Sequence, residues 1–265
     1  MSHLLRALPD LFRVGFAGMV AYRAEMTIWI LSATMPLIML ALWNAVAEGG
    51  PVAGFGQVEI ARYFVATLVV RQLTSVWLVW ELNYEIRTGR LSPRLLKPMH
   101  PLVQNAVEMI TALPVRLVVL APLVLALVLW RPELLRAPSL GAFALFWVSL
   151  GLAWTLNFLI QALFATLAFW LDKTDALFGV WFAFYTLLSG YVAPLAFFPA
   201  WSEPLLKTLP FRGMLAVPVE LLGGFLTAEA ALTDLAIQVA WVATLGLAVV
   251  LVWRRGLVRY GAFGA

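Results

Sequence analysis

The stretch that decides the fold is APSLGAFALFWVSLGLAWTLNFLIQALFATLAFWL, residues 137–171. It holds 35 residues and not one charge. About 20 predominantly apolar residues are enough for a helix to cross the hydrocarbon of a bilayer. As one helix the stretch would reach about 52 Å. No charge and no turn signal divides it, so it reads as a single long, tilted helix that projects into the cytoplasm.

Working outward, further uncharged runs occupy residues 26–47, 64–70, 72–80, 117–130, 176–202 and 235–253. Arg71 interrupts the second span, and the third extends back past Arg116 and Glu108 to Pro101. Six transmembrane helices are expected, at about 26–47, 60–80, 101–130, 139–171, 176–192 and 234–253. The composition agrees: 63% of the 265 residues are hydrophobic and 12% are charged. Soluble domains carry about 25% charged residues. A cytosolic enzyme, a disordered chain and a coiled coil are excluded, and the fold class is an all-α polytopic membrane protein with one domain over 1–265. Cysteine is absent, which removes disulfides and thiolate chemistry. No cleavable signal peptide is expected, because Arg6, Asp10, Arg13, Arg23 and Glu25 leave no clean apolar core near the start.

The charges report orientation. With alternating loops, one side holds Arg6, Arg13, Arg23, Arg87, Arg90, Arg94, Lys97, Lys173, Arg254, Arg255 and Arg259. The other holds Arg131, Arg136, Lys207 and Arg212. Eleven against four follows the positive-inside rule and predicts both termini to be cytoplasmic. The net charge of +4 is therefore read as topology, and no nucleic-acid partner is expected. Within residues 1–25, Leu4, Leu5, Leu8, Leu11, Phe12 and Phe16 recur at helical spacing opposite Arg6, Asp10 and Arg13. This predicts an interfacial helix, the alternative being an extension of the first span.

Catalytic signatures are missing. The three lysines, Lys97, Lys173 and Lys207, never follow a glycine, so no phosphate-cradling G-x-x-x-x-G-K-[ST] loop exists. His3 and His100 are the only histidines, and neither belongs to a metal-ligand cluster. No catalytic residue, no metal site and no bound cofactor is expected.

Three segments remain informative. The cytoplasmic loop 81–100, ELNYEIRTGRLSPRLLKPMH, places Glu81 and Glu85 four apart on one helical face and mixes acids with bases. It reads either as a solvated positive-inside loop or as a docking element. The segment 193–233 is too apolar for an exposed loop and too rich in proline for one straight helix. It reads as an outer re-entrant hairpin between spans five and six, or as an interfacial cap. Inside the membrane, Arg71, Glu108 and Arg116 must face protein or water. Arg71 could meet Glu108, or attract an anion in a pathway. Asn157 and Gln161, four apart, form a polar stripe of the kind that more often joins helices than binds substrate.

The chain resembles permease subunits of the ABC-2 type exporter superfamily, in the bacterial six-span branch that pairs two permeases with a separate ATPase. The residues carrying the resemblance are Glu81, Leu82 and Asn83, then Ile86 to Leu91, and Leu95 to Pro98. Leu156, Asn157 and Phe158 follow, with Phe169 and Trp170. Ser189, Gly190 and Tyr191 come next, with Pro194, Leu195, Phe198 and Pro199. Leu209, Pro210 and Phe211 and the terminal Arg259, Tyr260 and Gly261 complete the pattern.

The resemblance implies that Glu81, Glu85, Arg87 and Arg90 couple to a cytoplasmic ATP-binding subunit, which would carry ATP and Mg. Tyr191, Pro194, Phe198 and Pro199 would belong to the outer hairpin. A second permease, identical or paralogous, and membrane lipids are the other implied partners, and the implied location is the bacterial cytoplasmic (inner) membrane. An ion-coupled secondary transporter and a non-transporting scaffold are the alternative functions.

Overall fold

The computed structural model describes residues 34–134, 139–172 and 174–262. The interfacial helix expected over residues 1–25 and the start of the first expected span lie outside the described residues.

The described chain is all helical. Helix α1 covers Met35–Ala47, α2 Gln57–Thr74, α3 Leu78–Arg87, α4 Leu91–Leu95, α5 Pro101–Thr111 and α6 Leu113–Trp130. Then come α7 at Leu140–Thr166, α8 at Thr174–Leu188, α9 at Glu203–Thr208, α10 at Pro210–Met214, α11 at Ala216–Leu222 and α12 at Ala228–Ala262. Among the described residues three helices are long and apolar enough to cross a membrane: Gln57–Arg87, Leu140–Phe169 and Ala228–Tyr260. The broken helix that begins at Pro101 is a fourth if its two parts count as one span. Two further apolar helices, Met35–Ala47 and Thr174–Leu188, are shorter.

Among the described residues three to four helices reach membrane length, against six expected spans; much of the first expected span lies outside the described residues, and local chemistry shortens two others. In the third expected span the 42° bend falls between Val118 and Leu120, with Pro122 inside α6 one turn on. Proline lacks an N–H to continue the ladder. In the fifth, the chain leaves the helix at Ser189, because Gly190 has φ +87° and Pro194 and Pro199 follow.

The deciding stretch forms one helix, shorter than its sequence suggests. Ser139 caps α7 by accepting from the Ala142 N–H at 3.2 Å. The helix passes into a 3₁₀ turn at Leu167–Phe169. Those 30 residues span about 45 Å. The span expected at 60–80 also changes. It breaks at residues 75–77, where Ser75 is extended, and resumes as α3 to Arg87. Glu81, Glu85 and Arg87 are therefore helical, and the loop proper starts at Thr88.

Helix α7 is the axis of the bundle and packs against α12, α3, α11, α10 and α2. The most enclosed piece is not a span. Met214 of α10, Leu215 between the helices, and Ala216, Val219 and Leu221 of α11 are fully buried. At one end of the bundle the Asn83 amide donates to Thr174 Oγ1 at 2.5 Å, and the hydroxyls of Ser92 and Tyr260 lie 3.0 Å apart. Gly256 of α12 packs on Phe169, so close that a Cβ would lie 2.1 Å from its ring. At the opposite end Arg62 donates to the Glu133 carbonyl at 3.3 Å, and Trp241 donates to the Thr208 carbonyl at 2.8 Å.

Candidate functional site

The loop after α3 is built around Arg94. Its guanidinium pairs with Glu85 and with Glu108 at 3.2 Å, and it reaches Gln104 at 3.4 Å. Gln104 in turn donates to the Met99 carbonyl at 2.7 Å. Glu85 therefore points inward and ties α3 to the loop, while Arg94 fastens the loop to α5 through Glu108 and Gln104. Glu81 is partly buried beside it. His100 caps α5, its Nδ1 accepting from the Leu102 N–H at 3.2 Å. Partial burial pushes its pKa down, which keeps that nitrogen an acceptor.

The outer surface of the same end has a different chemistry. Arg87 and Arg90 are exposed, with the Arg90 guanidinium 5.2 Å from the Tyr84 ring. Tyr84 is half exposed and Leu96 is 89% exposed. Gly89, at φ +77°, makes the turn that brings α4 back beside α3. Of the four expected coupling residues, Arg87 and Arg90 face outward while Glu81 and Glu85 face into the protein. Tyr84, Leu96 and Lys97 complete the exposed surface.

The polar residues within the bundle mostly hold broken backbone. Where helices stop in a low-dielectric interior, their last carbonyls need donors. Arg116 donates to the carbonyls of Gln72 at 3.0 Å and Ser75 at 2.8 Å. Its guanidinium also covers the Trp77 ring at 4.7 Å. Gln161 donates to the Val76 carbonyl at 2.8 Å and accepts from the Val79 N–H at 3.2 Å. Both residues thus serve the break at 75–77. Asn157 donates to the Met214 carbonyl at 3.2 Å, and Gln238 donates to the Gly213 carbonyl at 2.6 Å. These two serve the end of α10. Gln238 carries no signal in the sequence beyond being a polar residue in the last span.

Arg71 and Glu108 do not meet. Glu108 pairs with Arg94, whereas the Arg71 guanidinium sits 5.8 Å from the rings of both Tyr185 and Tyr191. Depth explains the separation. Glu108 lies about 10 Å along α5 from Pro101, while Arg71 lies about 24 Å from Arg87 at the same end.

The segment between α8 and α12 holds an ion cluster that its sequence only hints at. Arg212 binds both oxygens of Glu220, at 3.0 and 2.8 Å, and both of Asp234, at 3.3 and 2.9 Å. The three side chains are 9–15% exposed. This pins α10 and α11 to the start of α12. Glu220, eight residues after Arg212, could have suggested one pair, but Asp234, 22 residues away, gives no hint of the three-way contact.

In the preceding turn the Tyr63 hydroxyl donates to the Gly190 carbonyl at 2.8 Å, and Trp43 donates to the Val192 carbonyl at 2.8 Å. Tyr191 and Pro194 are buried, Phe198 packs beside Leu195, Leu206 and Ala216, and Pro199 is exposed. On the surface Lys207 pairs with Glu203 at 2.7 Å and holds that carboxyl below its usual range.

No cluster of metal ligands occurs among the described residues. What the arrangement does supply is a helical bundle with two backbone breaks braced by long side chains, and a basic, partly apolar surface at one end. Neither a curated protein nor a solved structure matches the chain. A family model described as ABC-2 family transporter protein matches residues 30–264. The chain belongs to the ABC-2 transporter family, as a multi-pass membrane component rather than a catalytic one.

Proposed function

We propose that this chain is the permease subunit of an ATP-driven exporter in the bacterial cytoplasmic membrane, with both termini cytoplasmic. It pairs with a second permease to form the translocation pathway and couples to a separate cytoplasmic ATPase. Membership of the ABC-2 family is the observation that carries this reading. The absence of a nucleotide-binding loop from the sequence is in keeping with a motor on another subunit.

The end bearing Arg87, Arg90 and Lys97 is the cytoplasmic one in this reading. The short helices α1 and α8 complete six spans. Residues 193–233 enter the outer half of the bilayer and return, which suits the burial of α10 and α11 in protein. Coupling then has a physical route. A partner pressing on Tyr84, Arg87, Arg90 and Leu96 moves α3 as a short rigid lever. Its upper end is the break at 75–77, and its sides are tied to α8 through Asn83 and to α7 through Gln161.

The test is purification of the chain together with the products of its neighbouring genes. A bound ATPase whose activity is vanadate-sensitive is the expected result. Transport driven by an ion gradient with no ATPase bound would overturn it.

A further inference from the structure

Arg71 lies halfway along the 31-residue span Gln57–Arg87, about 21 Å from one end and about 24 Å from the other. It is only partly buried. An arginine at that depth is costly against lipid tails, and such residues face protein or a water-filled space. Among the described residues, no carboxylate lies within ion-pair distance of Arg71 or Arg116. Arg116 is occupied by the carbonyls of Gln72 and Ser75. Arg71 instead reaches across to the end of α8, where its guanidinium stands over Tyr185 and Tyr191.

The groups around it are hydrogen-bond donors. Tyr185 is 1% exposed and Ser189 fully buried; their hydroxyls lie beside each other, and neither has a hydrogen-bond partner at ordinary distance and angle. Buried hydroxyls without partners are uncommon in folded proteins. One guanidinium and two hydroxyls, with no acid beside them, form a donor set suited to a carboxylate or phosphate. The faces of Tyr185 and Tyr191, which could otherwise hold an organic cation, are already covered by the guanidinium. Around the donors the lining is apolar: Trp181 stacks on Tyr185 at 5.7 Å and Phe182 at 5.6 Å.

We infer that Arg71, Tyr185 and Ser189 form a mid-membrane binding site for an anionic amphiphile, its carboxylate or phosphate head on the three donors and its apolar body against the neighbouring rings. The inference rests on the permease reading and names the charge class of what that permease would carry. The head group is held by two elements, α2 and the end of α8, and α2 ends at the break braced by Gln161. Movement of that break would separate Arg71 from Tyr185 and release the anion.

The test is equilibrium binding to the purified complex in nanodiscs of zwitterionic lipid. The probes are dodecyl phosphate, dodecyltrimethylammonium and inorganic phosphate. Dodecyl phosphate is expected to bind saturably. Arg71→Gln should weaken it at least tenfold and Tyr185→Phe several-fold, while dodecyltrimethylammonium binds no better to wild type than to Arg71→Gln. Where Arg71→Gln does not fold, Tyr185→Phe and Ser189→Ala, each smaller by or near one oxygen atom, carry the same comparison. Equal binding of the two amphiphiles, or binding indifferent to all three substitutions, would overturn the site. Displacement of dodecyl phosphate by an equal concentration of inorganic phosphate would assign the site to free anions and overturn the amphiphile. None of these outcomes depends on whether the ATPase stays bound, which tests the permease reading separately.

Discussion

The side-chain amide of Gln161 is bonded to the backbone carbonyl of Val76, 85 residues away, at 2.8 Å. A polar side chain of the central helix thus stands in for the helical bond that the chain gives up at residues 75–77. The same amide accepts from the Val79 N–H, so one residue bridges both sides of the break.

Gln161→Leu keeps the shape and removes both partners. Each buried group left unpaired costs about 1–3 kcal/mol. The expected result is a clear loss of stability, read by denaturant unfolding in mild detergent. Unchanged stability would mean that the break does not need its brace.

Arg71 and Arg116 should behave differently although both lie within spans. Arg116→Gln exposes the Gln72 and Ser75 carbonyls and should lower the unfolding midpoint markedly. Arg71→Gln frees no backbone group and should lower it much less. A thermal unfolding comparison of the two variants with wild type decides this. Equal losses would argue against the backbone role of Arg116.

The Arg212 cluster should be unforgiving. Removing one member of a buried ion pair costs about 3–5 kcal/mol. Arg212→Met leaves Glu220 and Asp234 facing each other and should give little folded protein. Combining it with Glu220→Leu and Asp234→Leu should restore much of the yield. Recovery of monodisperse protein by size-exclusion chromatography is the measurement.

At Gly190 the constraint is steric. Its φ of +87° suits glycine, and a Cβ would lie 2.3 Å from Tyr63 Oη. Gly190→Ala should destabilise strongly, whereas Tyr63→Phe, which loses one hydrogen bond, should cost about 1 kcal/mol. Unfolding measurements that rank the two in the opposite order would reject this account.

The surface that bears Arg87 and Arg90 separates docking from folding. Arg87→Glu with Arg90→Glu should abolish ATPase co-purification while the subunit still folds. Glu85→Gln should loosen the loop by weakening its bond to Arg94. If only the glutamate substitution released the partner from an otherwise stable subunit, the docking surface would have been assigned to the wrong residues.

Much of this architecture is legible along the chain. The uncharged run 137–171 reads as one helix, and Leu140–Thr166 of it forms one, because nothing within that stretch offers the backbone an alternative. The prolines at 194, 199, 204, 210 and 218 forecast short pieces, and short pieces are found, although Pro218 lies within α11. The break at 75–77 is not legible, since Ser75, Val76 and Trp77 include neither glycine nor proline. It exists because Arg116 and Gln161, distant in sequence, pair with the backbone it frees. Glu85 illustrates the same limit within the site. Its spacing from Glu81 places both on one face, but whether that face looks outward or at Arg94 depends on how the loop folds back.

By itself the sequence determined an all-helical membrane protein and where its charges gather. A bilayer allows a spanning chain little choice but to bond its backbone locally, so apolar length alone announces a helix. The tertiary structure decided where those helices break, which polar side chain braces each break, and which charges find one another. Those outcomes depend on distances between residues tens of positions apart, and such distances are set only when the helices pack.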